Sequence, residues 1–145
     1  MLKFIPSFKS DVDQIREWTL ADPWHQNQKQ PEWWLTGSEG FFSCCVQDDI
    51  GPVVYLKVEE EAEQFRLHCQ FGPRSEVSRK RLLMAMNEGL PVILMYLLNR
   101  GKNIVFNSSN PSLVRFMWSV GFKPVMPFKP GEYAICVDQV DKKKF

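Results

Sequence analysis

The chain has 145 residues, 44% hydrophobic and 24% charged, with a formal net charge of +1. That length and balance suit one folded domain with one core. A near-zero charge excludes broad attraction to nucleic acid or to an acidic membrane, and leaves room only for a local anion site.

The four cysteines are Cys44, Cys45, Cys69 and Cys136. They form no CxxC pair and read as reduced, buried thiols in strands, which points to a cytoplasmic setting. The N-terminus is broken by Pro6 too early for a signal peptide. The longest apolar run, Leu90 to Leu98, is short of the roughly 20 residues of a membrane span. A zinc site or a Ser/His/Asp triad finds no supporting spacing, so no metal is expected.

Leu2 to Ile5 reads as a first strand. Ser10, ahead of Asp11 and Asp13, reads as the cap of a helix whose apolar face is Val12, Ile15, Trp18 and Leu20. Ala21 to Pro31 is irregular, and Glu32 to Leu35 reads as a second, short helix. Phe41–Gln47 and Pro52–Glu59 read as strands about a turn at Asp48–Gly51. A charged turn at Glu60–Glu63 leads to a third strand, in which Phe65, Leu67, Cys69 and Phe71 alternate with Arg66, His68 and Gln70. Helical spacing follows from Glu76 to Arg100, interrupted at Pro91 by a kink or a break. Lys102–Asn107 is a buried strand. Ser109 or Asn110 caps a last helix that begins at Pro111 and ends at Gly121. Strands at Lys123–Phe128 and Glu132–Val140 close a single domain of residues 1–140, and residues 141–145 form a basic tail.

The order is β-α-α-β-β-β-α-β-α-β-β, a mixed α/β fold with a largely antiparallel sheet. That order, together with the stretch from Asn110 to Gly121-Phe122, resembles the acyl-CoA N-acyltransferases of the GNAT type. Asparagine often opens this helix in the family, and a glycine-phenylalanine pair closes it.

The resemblance implies an acetyl-CoA donor, held between the third and fourth of the long strands, and direct transfer to a small-molecule or peptide amine. It places the donor's arm along Gln70, Phe71 and Gly72 and its pyrophosphate at the start of the long helix. The residues there are Arg74, Val77, Ser78, Arg79, Lys80 and Arg81, with Asn110 across the cleft. Helix starts expose unpaired N–H groups and a positive dipole end. The family's glycine-rich loop is missing, because Arg74 to Arg81 contains no glycine. A solvated first helical turn therefore stands beside phosphate binding as a reading of this run. His68 is the candidate base, against an ordinary strand histidine. Trp24, His25, Trp33 and Trp34 are the candidate acceptor wall, against simple cover for the sheet. The family's proton-donating tyrosine falls on Met117. The rival reading is a GNAT-fold binding module without turnover. A homodimer through the last strands is a further expectation.

Overall fold

The computed structural model describes residues 1–25, 30–37 and 39–136. The tail at 141–145 and the end of the last predicted strand, 137–140, lie outside them. Among the described residues seven strands form one sheet: β1 (Lys3–Pro6), β2 (Phe42–Gln47), β3 (Pro52–Glu60), β4 (Gln64–Phe71), β5 (Asn103–Asn107), β6 (Lys123–Pro124) and β7 (Glu132–Ile135). Their order across the sheet is β1-β2-β3-β4-β5-β7-β6. Every neighbouring pair is antiparallel except β4 with β5. The order of elements along the chain and the fold class are those read from the sequence.

Side chains alternate across the sheet. Tyr55 and Lys57 of β3, opposite Gln70 and His68 of β4, face helix α1 (Val12–Ala21) and a 3-10 turn at Pro31–Leu35. The Tyr55 hydroxyl donates to Asp11 at 2.8 Å and ties the start of α1 to the sheet. Trp18 packs edge-on to Tyr55 and donates through Nε1 to Glu76 at 3.1 Å. Trp18 is thus a core residue, and Glu76 is its partner rather than a solvated first-turn acid.

Two details of α1 differ from the sequence reading. A 3-10 turn at Lys9–Asp11 precedes it, and Asp11 rather than Ser10 receives a loop amide, that of Phe8, at 2.8 Å. The buried face is Ile15, Trp18 and Thr19, while Leu20 is exposed. Helical spacing puts residue 19, not 20, beside 15.

The long helix packs on the other face. It runs from Arg79 to Leu98 as α2 (Arg79–Met84), a π turn (Ala85–Gly89) and α3 (Leu90–Leu98). Pro91 therefore neither ends nor divides it. Proline has no amide to give and its ring crowds the preceding turn, and the wider π turn just ahead absorbs that misfit. The segment is long and apolar enough to cross a membrane. Leu90, Leu94 and Leu97 are nevertheless buried in the core, each contributing about 1.5–3 kcal/mol. The helix starts later than the spacing indicated, because Pro73–Val77 forms a turn in which Val77 N–H bonds to the Pro73 carbonyl at 2.8 Å.

Helix α4 (Pro111–Val120) is capped by Asn110, whose side chain accepts from the Ser112 amide at 3.1 Å. Gly121 ends it with φ +126. Strand β6 is much shorter than predicted, since Pro124 and Pro127 both lack the donor a ladder needs. Cys44, Cys45, Cys69 and Cys136 are free thiols in or beside strands.

Candidate functional site

Strands β4 and β5 pair only over Gln64–Arg66 and Asn103–Val105, then separate. From Leu67 onward, β4 has no ladder partner on that side. The Gly72 amide donates to the Val53 carbonyl at 2.9 Å, toward β3. Backbone groups alternate along an antiparallel strand, so the Cys69 and Phe71 amides point into the gap. The Phe71 carbonyl already accepts from Gln70 Nε2 at 3.2 Å.

Two cavities flank this gap. The larger, ≈ 710 Å³, lies between β4, the start of α2 and α4. Phe71, Gly72, Arg74, Arg79 and Asn110 line it, five of the residues singled out from the sequence for the cofactor. Arg115 lines it too and was missed. Its signal was its place one turn into the helix that Asn110 opens. Arg74, Arg79 and Arg115 are exposed and form no salt bridge among the described residues.

The other members of the basic run have different places. Val77 is buried, and an added Cβ at Gly72 would lie 2.3 Å from it. Ser78 caps α2 by accepting from the Arg81 amide at 3.2 Å. Arg81 forms an ion pair with Asp48 at 2.7 Å and also donates to the Gly51 and Pro52 carbonyls. Its guanidinium holds Asp48 down to about 2. Arg81 thus pins the long helix to the β2–β3 turn. Lys80 is exposed and lines neither cavity. The Arg79 and Lys80 amides, in the first turn of the helix, have no intrahelical carbonyl to bond.

The smaller cavity, ≈ 390 Å³, opens on the face of α1. Trp24, His25, Trp33, Trp34, His68 and Gln70 all line it. His68 Nε2 lies 2.7 Å from Glu59 Oε1, and its ring stands edge-on to Trp33 with centroids 4.7 Å apart. Burial holds the His68 pKa below its ordinary value, against the pull of Glu59. Lys57 Nζ donates to the Trp33 carbonyl at 2.7 Å and lies over the Trp33 ring. Trp34 is buried, whereas Trp24 is substantially exposed.

Gln70 is the polar hub. Its side chain reaches His25 Nδ1 at 2.8 Å and donates to Asp22 at 3.1 Å. Its predicted role lay in the backbone, and the alternation of β4 suggested a half-exposed polar face. Instead Gln70 is fully buried under α1, so β4 is covered on both sides. The Asp22 hydrogen bond raises the His25 pKa, against burial.

Met117 is buried and lines the smaller cavity. Trp24 and Leu113 line both cavities. Among the described residues no group of three or more His, Cys, Asp or Glu is placed to hold a metal ion.

No protein-family model and no curated protein matches this sequence. Solved structures do match. The ribosomal-protein-S18-alanine N-acetyltransferase from Escherichia coli superposes with a TM-score of 0.65 at 14% identity, over 98% of this chain and 97% of that one. The spermidine/spermine N-acetyltransferase from Vibrio cholerae gives a TM-score of 0.68 at 13% identity, over 99% of each chain. An aminoglycoside acetyltransferase in complex with coenzyme A gives 0.65 at 12% identity, over 92% of this chain and 91% of that one. With its splayed β4 and β5, its strand order and these neighbours, the chain carries the GNAT acetyltransferase fold.

Proposed function

We propose that this protein is an acyl-CoA-dependent N-acyltransferase with acetyl-CoA as donor. The observation that carries the reading is the gap between β4 and β5, flanked by a large cavity lined by three arginines that form no ion pair among the described residues. Arg74, Arg79 and Arg115 hold the phosphates as charge-assisted donors, aided by the Arg79 and Lys80 amides at the helix start. The acyl arm lies along the open edge of β4. There the Phe71 amide donates to the thioester oxygen as negative charge develops on it.

The acceptor amine occupies the smaller cavity and attacks the thioester carbonyl carbon. The N–C bond forms and the C–S bond breaks. The amine proton passes to His68, directly or through one water, and CoA leaves as the thiolate. His68 is suited to this task because burial keeps its imidazole neutral. Glu59 fixes the ring and stabilises the imidazolium that forms. Met117 has no proton to give, so the thiolate is protonated from solvent. A covalent cysteine route is disfavoured, since burial pushes the Cys69 thiol up to about 12 and keeps it protonated.

Thermal unfolding with and without acetyl-CoA tests the donor site. A ligand at a hundredfold excess over its Kd adds about 2.7 kcal/mol, a shift of several degrees. The shift is expected in the wild type and is expected to vanish in Arg79→Glu/Arg115→Glu. No shift at millimolar acetyl-CoA overturns the reading. The glycine-free loop and Met117 would then favour a binding module without turnover, acting through the Trp24–Trp34 surface.

A further inference from the structure

We propose that the acceptor is an amine carried on an uncharged, apolar body, an arylalkylamine in chemical class; this rests on the acyltransfer reading of the smaller cavity. Among the described residues, that cavity is lined by no Asp, Glu, Lys or Arg. Trp24, Trp33, Phe106, Leu67 and Leu113 give it an aromatic and aliphatic side, shared with uncharged polar groups such as Thr19, Gln70, Asn107 and Ser109. Its volume, ≈ 390 Å³, falls in the range of small-molecule sites, which are mostly apolar with a few placed polar groups.

The charged groups around it are already engaged. Asp22 lies 3.3 Å from His25 and also receives the Gln70 amide and the Trp24 backbone N–H. Glu59 faces His68 at 2.7 Å. Lys57 is turned to the Trp33 carbonyl and ring. The attacking amine enters neutral, having left its ammonium proton in solvent, and His68 takes the single proton released as the N–C bond forms. A second ammonium on the same acceptor finds no carboxylate among the described lining residues, and an acceptor carboxylate finds no Lys or Arg there, only a His25 already paired with Asp22. Burying either one unpaired is costly. Aromatic faces supply contact area to an apolar body instead.

The test uses the full chain and three amines of matched concentration: 2-phenylethylamine, spermidine and glutamate. Binding is read from tryptophan fluorescence and turnover from CoA release under saturating acetyl-CoA. The expected result is at least tenfold tighter binding and at least tenfold higher kcat/KM for 2-phenylethylamine than for either charged amine. Equal or better binding of spermidine or glutamate overturns the proposal, as does no binding of any of the three. Fluorescence reads the cavity even if the donor site fails, so loss of the acetyl-CoA shift with retained 2-phenylethylamine binding sinks only the transfer reading. Ser109 is exposed at the cavity wall. Ser109→Glu is therefore expected to fold and to raise spermidine binding severalfold relative to 2-phenylethylamine. An unaltered preference in that variant counts against the proposal.

Discussion

His68 and His25 share one cavity, yet their surroundings shift them in opposite directions. Burial lowers His68 below its ordinary value, which suits the base role proposed for it. Removing it as His68→Gln is expected to lower kcat by about 10²–10⁴-fold with the acetyl-CoA thermal shift intact. The acid limb of the wild-type kcat/KM profile is expected to lie below pH 6.5, and a limb above 6.5 would contradict the assignment. His25 is raised by its hydrogen bond to Asp22. The stability it contributes is fully present below pH 6.5 and is lost as pH rises through its folded value. His25→Asn should therefore flatten the stability–pH curve on the alkaline side of 6.5, as read by urea unfolding at several pH values. Asp48 behaves the other way. Its carboxylate falls from 3.8 to about 2 beside Arg81. The pair's contribution, on the order of 2 kcal/mol, is present above pH 4 and lost as pH falls toward 2. Asp48→Asn is expected to lose that stability at neutral pH while still binding acetyl-CoA.

At the scale of elements, the junctions carry the strongest constraints. A Cβ at Gly72 would lie 2.3 Å from Val77 and 3.1 Å from Trp18. Gly72→Ala should cost about 1–3 kcal/mol through overpacking, measured by chemical unfolding. Gly121 holds φ +126, and its added Cβ would lie 3.0 Å from Ile135. Strand periods, the Asn110 cap and the Gly121 stop were legible because each is a local rule written in adjacent residues. The π turn was not, since spacing marks a misfit at Pro91 without saying how a neighbouring turn absorbs it. The role of Gln70 was hidden for a different reason. Its hydrogen bonds reach Trp18, Asp22 and His25, some fifty residues away, so alternation along β4 could not show that its polar face is covered. Arg81 looked like its basic neighbours until the β2–β3 turn came beneath it.

Across the whole molecule, the fold was readable from element order, whereas the division into two cavities was not. That division depends on where β4 and β5 part, and no residue type marks the point. It also depends on Trp24, after α1, and Leu113, in α4, both lining the two cavities. Direct transfer between separate but adjoining cavities, as proposed, requires both substrates to be present together. Initial-rate patterns should therefore intersect on double-reciprocal plots, and parallel lines would count against direct transfer.

The parting of β4 from β5 has a mechanical side. Seven residue pairs join β3 to β4, while three join β4 to β5. The sheet is thus two stiff leaves sewn together by a short seam, with the open end of the seam left for something else to fasten. A ligand whose backbone-like arm lies in that opening becomes a stitch in the protein's own architecture. The Cys69 and Phe71 amides that face the opening should exchange with deuterium faster than those of β2 and β3, and should slow when the opening is filled.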